Sequence, residues 1–317
     1  MKKLLVLAAL FFIGAASAQT YPSRPVKIIV PFTPGSATDV MARIVGERLN
    51  AAWGQPVVVE NRPGAGGTIG IRDTARAEPD GYTLAVVSSG HAVNHVLYKD
   101  LGYDSVKDLS AVAMLGSLPS VLIVPPSLGV NSVKELVAML KAKPGQLNYA
   151  TAGVGSGAHV NVEKFNVAAG VKALHVPLKG TPPILTETMA GRIQYAFVPA
   201  VSSMGLVKDG KVKPLAVSTA KRVAALPDVP TLGEAGFPEG ESTFWLALLA
   251  PAKTPSAIVG QINAELRRAL QSAELKERLA KLGTEPMSMS PAESDAFIRR
   301  EHDELGKIML DAGLTPQ

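Results

Sequence analysis

The chain of 317 residues carries 32 basic and 27 acidic side chains, a net charge of +5, and no cysteine. Without thiols a disulfide framework and cysteine chemistry are excluded, and core burial alone must stabilise the fold. The positive excess is small and scattered, which excludes the clustered basic stripe of a nucleic-acid-binding protein and suits a small anionic ligand.

Residues 1–18, MKKLLVLAALFFIGAASA, place two lysines before an apolar run from Leu4 to Ala16 and close on Ala16-Ser17-Ala18. This is the pattern of a secretory signal peptide cleaved after Ala18, and the run is shorter than the roughly 20 residues a bilayer span needs. Removing Lys2 and Lys3 from the 32 basic residues leaves 30 against 27 acidic ones, a charge of +3. A cysteine-free exported chain of this length fits the Gram-negative periplasm and has room for two domains.

Strand-like and helix-like segments alternate through the rest, which predicts α/β units on mostly parallel sheets. A strand at 26–31 leads into a helix at 39–53, where Val40, Met41, Ile44, Val45, Leu49 and Ala52 share a face and Gly54 is placed to stop it. A strand at 55–60, a Gly-rich loop at 64–67, a helix at 68–77 and a strand at 83–88 follow. From Ser120 the pattern restarts with a strand at 121–126, a helix at 132–143 and a strand at 147–151. Next come a second Gly-rich turn, a helix at 158–169, a strand at 173–177 and a helix at 182–190. Strands at 193–198, 214–218 and 242–249 complete the series. Thr254-Pro255 and Ser290-Pro291 each read as an N-cap followed by a first-turn proline, opening C-terminal helices.

The two strand-to-helix turns are the candidate sites. In 32–39, Pro34 and Gly35 make the turn, Ser36, Thr38 and Asp39 can cap the helix, and the absence of a P-loop lysine argues against ATP chemistry. The glycines of 62–70 fail the dinucleotide fingerprint because Ile69 stands where Gly or Ala is required. TAGVGSGAH, 151–159, meets that fingerprint through Gly153, Gly155 and Ala158 but has no acidic residue about 20 positions on. Its backbone serves equally as a carboxylate cradle, with the Thr151 and Ser156 hydroxyls as donors. Ser156 and His159 also invite a serine-hydrolase reading, although Val154 and Ala158 occupy the glycine positions of a nucleophile elbow. His91 and His95 have the spacing of zinc ligands on a helix, but Ala92 replaces the catalytic Glu and no third ligand lies near, so a metal is not expected. Phe244-Trp245 reads as core.

With these residues in view, the chain from about Tyr21 to its C-terminus resembles the extracytoplasmic solute receptors of the tripartite tricarboxylate transporters, the Bug receptors. The marks are YPSRPVKIIVPFTPGSATD (21–39), GQPVVVENRPGAGGTIG (54–70), PDGYTL (79–84), SSGHAVN (88–94), YATAGVGSGAH (149–159), HVPLKG (175–180) and LAVSTAKRVAALPDVPTLGEAG (215–236). The resemblance implies a two-lobed α/β periplasmic binding protein of type II, the Venus flytrap, with a mixed, mostly parallel sheet in each lobe. The lobes would be 19–122 plus 222–317, and 123–221. It further implies a monomer without cofactor, metal or catalytic activity that passes a small carboxylate to membrane permease subunits; a carboxylate-sensing receptor is the variant of that role.

By the same resemblance a ligand carboxylate sits between the two loops. Thr33, Gly35, Ser36, Thr38 and Asp39 would meet it from one lobe, and Thr151, Gly155, Ser156, Gly157 and His159 from the other. Phe32, Pro34, Ser89, His91 and Val198 would shape the remainder. Many relatives carry an Asp where this chain reads YAFVPAV and has Val198. That difference implies poor binding of aspartate or glutamate and a ligand with a less polar distal part, such as an aromatic or longer-chain acid.

Overall fold

The computed structural model describes residues 21–311 and 313–316. The expected signal peptide therefore lies outside the described residues. The first sheet starts with three parallel strands, β1 (Val26–Val30) flanked by β2 (Val57–Asn61) and β3 (Thr83–Ser88). It continues antiparallel through β10 (Phe244–Pro251) to β4 (Leu109–Leu118), giving the order β2-β1-β3-β10-β4. Helices cover both faces, so the central strands read as near-continuous apolar runs, as in FWLALLAP of β10, rather than as alternating ones. Leu246 and Leu248 of β10 point into one core with α1 (Ala37–Trp53) and a C-terminal helix at Ser256–Gln271. Trp245 and Ala247 point into the other, with α2 (Thr68–Ala75) and the last helix, Pro291–Asp311. α1 ends at Gly54, whose φ of 63° closes the last turn in the left-handed region.

The second sheet is built around β5 (Ser120–Val124), which pairs antiparallel with both β8 (Ala196–Pro199) and β9 (Lys213–Val217). β6 (Asn148–Thr151) and β7 (Leu174–Pro177) run parallel, joined to the rest by a single bridge from Tyr149 to Tyr195. This sheet is mixed, with more antiparallel pairing than the alternating pattern suggests. β5 arrives from β4 through Pro119 with no crossover helix, so it runs against the βα units that follow. A helix at Val133–Ala142 and α3 (Gly157–Ala169) pack Leu136, Leu140 and Phe165 against Leu122 and Phe197 on one face. The helix Thr181–Met189 puts Ile184 beside Val121 and Ile123 on the other.

Among the elements that escaped the sequence pattern are β4, whose LSAVAMLGSL is rich in Ala, Ser and Gly, and the helices Asn94–Leu97, Ala200–Lys208 and Ala273–Lys281. Ser290 forms the expected cap, accepting from Glu293 N–H at 3.3 Å while its own N–H donates to the Glu293 carboxylate at 2.8 Å. Thr254 does not: Pro255 itself precedes the first helical residue, and the Thr254 hydroxyl is buried without a partner.

The chain leaves the first sheet at Pro119 and returns at Phe244. In segment 222–241, Leu226, Val229 and Leu232 find their apolar partners in the two cores around the second sheet. The crossings are laced together: Ser218 N–H donates to Ser120 C=O at 2.8 Å, Ser242 N–H to Ser218 C=O at 2.8 Å, and the Asn161 amide of α3 bonds both Ser120 and Ser242 hydroxyls. The two lobes meet face to face. Tyr98 donates to the Val154 carbonyl at 2.8 Å, Thr33 N–H to the Lys179 carbonyl at 3.3 Å, and the Gly90 backbone lies directly against Gly155. A methyl group at Gly90 would collide with the Gly155 carbonyl oxygen. Gly90→Ala is therefore expected to leave both lobes folded but hold them apart, giving a larger radius of gyration in small-angle scattering and weaker ligand binding. An unchanged radius would show that this contact yields without opening the cleft.

Candidate functional site

The two loops are built on one plan. Each follows a strand, turns at a glycine with positive φ (Gly35 at 82°, Gly155 at 75°), and opens a helix on an extended serine cap. The cap angles nearly coincide, with φ −69° and ψ 160° at Ser36 and φ −72° and ψ 159° at Ser156. Three residues past each serine, Asp39 and His159 donate their N–H groups to the serine Oγ at 3.4 and 3.3 Å. Their side chains reach back to accept the N–H of the glycine: Asp39 Oδ2 from Gly35 at 2.9 Å, and His159 Nδ1 from Gly155 at 3.2 Å. This reciprocal arrangement resembles a capping box displaced by one residue. It leaves the N–H groups of Ala37, Thr38, Gly157 and Ala158 without a partner among the described residues. Those are the positive ends of two helices, one from each lobe.

All four of these residues line one pocket between the lobes. Phe32, Pro199 and Phe244 supply apolar walls, and Ser36, Thr38, Ser88, Ser156 and Thr181 supply hydroxyls. Among the described residues, no charged side chain lines it.

Of the residues predicted from the sequence, Phe32, Ser36, Thr38, Ser156 and Gly157 line the cavity. Gly35 and Gly155 act one step back, by shaping the turns. Asp39 is occupied inside its own loop, where Arg43 binds it through two nitrogens at 3.1 and 2.9 Å and Asn61 donates to it at 2.9 Å. Burial alone would raise its pKa, but the Arg43 guanidinium, the Gly35 N–H and the Asn61 amide hold the carboxyl below its usual range. Thr151 is likewise consumed locally, bonding Gly153 at 3.1 Å and His175 Nε2 at 2.6 Å. Pro34 is exposed, and the Thr33 hydroxyl is buried against Gly180. Ser89 sits behind Gly157, and His91 is turned away, with Nε2 on the Ser105 carbonyl at 3.2 Å. Val198 is fully buried in the second lobe's core, and its neighbour Pro199 reaches the cavity.

Sequence reading missed Ser88, Ala152, Gly180, Thr181 and Pro199, and assigned Phe244 to core alone. Gly180-Thr181 before Pro182 is a helix start, and that signal was available at the site's third edge. The Ser156–His159 pair is not arranged for nucleophilic catalysis. Ser156 Oγ meets the His159 backbone N–H rather than the ring, whose Nδ1 is taken by Gly155 and whose Nε2 lies 4.0 Å from the Glu163 carboxylate. His95 stacks on His302 at 3.4 Å between ring centres, and no cluster of three metal-ligating side chains occurs among the described residues.

Two α/β lobes joined by two laced crossings, with a helix N-terminus from each facing a shared cavity, define a two-lobed solute-binding protein of the Venus-flytrap type. The profile described as the tripartite tricarboxylate transporter family receptor matches residues 41–314, and the chain belongs to that family of solute receptors, which are not enzymes. Protein BugT of Bordetella pertussis is 36% identical over 320 residues, covering 99% of this chain and 98% of its own. An R. palustris protein solved with adipate superposes with a TM-score of 0.90 at 34% identity, over 94% of this chain and all of its own. MatC from Rhodopseudomonas palustris with bound malate gives 0.86 at 32% identity, over 91% of this chain and 99% of its own.

Burial governs the histidines. It pushes His159, with help from neighbouring His175, down to about 3, and His175 and His91 each to about 4. These imidazoles are neutral in the fold and titrate near 6.5 once unfolded. Below 6.5 the unfolded chain binds the extra protons, so stability is complete above that pH and falls progressively as pH drops toward about 4. Melting temperature measured along that acid series should fall less for His91→Asn than for the parent. Parallel curves would show that His91 charges without unfolding.

Proposed function

We propose that this receptor captures a small carboxylate in the interlobe cavity, with one anionic end held by the N–H groups of Ala37, Thr38, Gly157 and Ala158 and the hydroxyls of Ser36 and Ser156. The observation that carries this reading is the convergence of those four partnerless N–H groups, from opposite lobes, on a cavity with no charged side chain. In this reading the lobes divide near Pro119 and Ser242, the protein is exported by residues 1–18 with cleavage after Ala18, and the monomer passes its ligand to permease subunits of a tripartite transporter.

Relatives solved with adipate and malate support a carboxylate ligand. A less polar distal part is supported by Phe32, Pro199 and Phe244, which form that wall with Ser88 and Thr181 as its polar groups, while Val198 lies behind them in the second lobe's core. The ammonium group of aspartate or glutamate would be buried there with no carboxylate to meet it, which is costly.

A thermal-shift and calorimetric screen of mono-, di-, tri- and aromatic carboxylates tests the proposal. Stabilisation by at least one uncharged-tail carboxylate, with aspartate and glutamate weak, is the expected result. Ser156→Ala is expected to weaken binding by roughly 1.5–3 kcal/mol, the value of one hydrogen bond to a charged group. Tight glutamate binding would overturn the argument from the neutral lining, and full affinity in Ser156→Ala would remove the second loop from the site.

A further inference from the structure

The shared plan of the two loops is broken at one position: the side chain that accepts the glycine N–H is a carboxylate at Asp39 and an imidazole at His159. Asp39 is balanced by the Arg43 guanidinium, and the second loop has no equivalent cation beside Gly155. A carboxylate at 159 would set an unbalanced negative charge behind the helix end that faces the ligand, and a neutral ring supplies the same acceptor without it. Because Nδ1 accepts from Gly155, the ring carries its proton on Nε2.

The ring is held by more than its own packing. It stacks on His175 at 4.6 Å between centres and 13° between planes, and His175 stacks in turn on Tyr149 at 4.9 Å and 8°. His175 Nε2 lies 2.6 Å from Thr151 Oγ1. The stacked pair thus grips the turn at both ends, Thr151 through His175 and Gly155 through His159. Beneath it, Glu163 takes the Tyr149 hydroxyl and the Asn166 amide, and Tyr195 donates to Asn166 at 2.7 Å, so the stack rests on a buried, connected polar network.

We propose that His159, oriented by its stack on His175, is the positioning residue of the second loop. It fixes the 151–155 turn so that the Ser156 hydroxyl and the Gly157 and Ala158 N–H groups face the bound carboxylate. This rests on the carboxylate reading of the cavity, and it needs the acceptor nitrogen rather than the ring's volume.

Two variants separate those requirements. His159→Phe keeps a stacking ring and removes the acceptor, whereas His159→Asn loses the stack and keeps an acceptor oxygen close to the position of Nδ1. Hexanoate affinity by calorimetry and Gly155 amide exchange by NMR, the latter without ligand, are read for each. His159→Phe is expected to speed Gly155 exchange and weaken hexanoate binding by about tenfold or more, the effect of misplacing one or two hydrogen bonds. His159→Asn is expected to keep slow exchange and bind within about threefold of the parent. Slow exchange and parental affinity in His159→Phe would overturn the proposal, as would equal weakening of both variants with Gly155 exchange unchanged. Should the parent itself bind no carboxylate while Gly155 exchange responds as expected, the carboxylate reading fails and the positioning role stands.

Discussion

Holding an anion without a cation requires backbone N–H groups that are buried and left unpaired, and the rest of this structure follows from that constraint. A buried donor with no partner costs about 1–3 kcal/mol, so Ala37, Thr38, Gly157 and Ala158 would together destabilise a closed, empty cleft. A carboxylate that reaches all four removes the cost only when both lobes are in place. In the proposed reading, ligand binding and lobe closure are one equilibrium, because the anion would interact more favourably with the closed form than with either lobe alone. The serine caps matter for the same reason. By satisfying the third N–H of each helix internally, Ser36 and Ser156 leave only the donors that point into the cavity.

The fold supplies two such helix ends and brings them together. Parallel β1-α1 and β6-α3 units place each N-terminus at the carboxyl end of a strand, where open α/β sheets gather their ligands. Two crossings bring the lobes into apposition, and Asn161 ties α3 to both crossing strands through Ser120 and Ser242. The helix that offers the second set of donors is therefore bonded to the hinge.

The helices and strands of the first lobe were legible because the β1-α1-β2 run has strong periodicity, a clear Ser-to-Gly bracket around α1 and good strand formers. β4 was not, since its small residues acquire strand character only by pairing with β10, more than a hundred residues later in the chain. At the site, the two cap-and-glycine turns could be read directly. The alternation on β8 could not be phased without knowing which face met the second core, so Val198 was placed in the cavity when Pro199 occupies it. Asp39, Thr151 and His159 have the chemistry of ligand contacts. Their actual partners, Arg43, His175 and Gly155, are visible only once the loops are folded.

The division of labour between Asp39 and His159 bears on selectivity. In the first loop the Asp39 carboxylate is neutralised by Arg43, and in the second a neutral imidazole takes its place, with the Glu163 carboxylate 4.0 Å behind the ring. Such a site rewards a carboxylate for its shape and its hydrogen bonds more than for its charge. Phosphate or sulfate would also find donors there, but the apolar wall of Phe32, Pro199 and Phe244 offers nothing to a tetrahedral anion on its remaining side. In the proposed reading, an acid with a carbon skeleton would fill both halves, burying apolar surface at one end while its carboxylate completes the caps at the other.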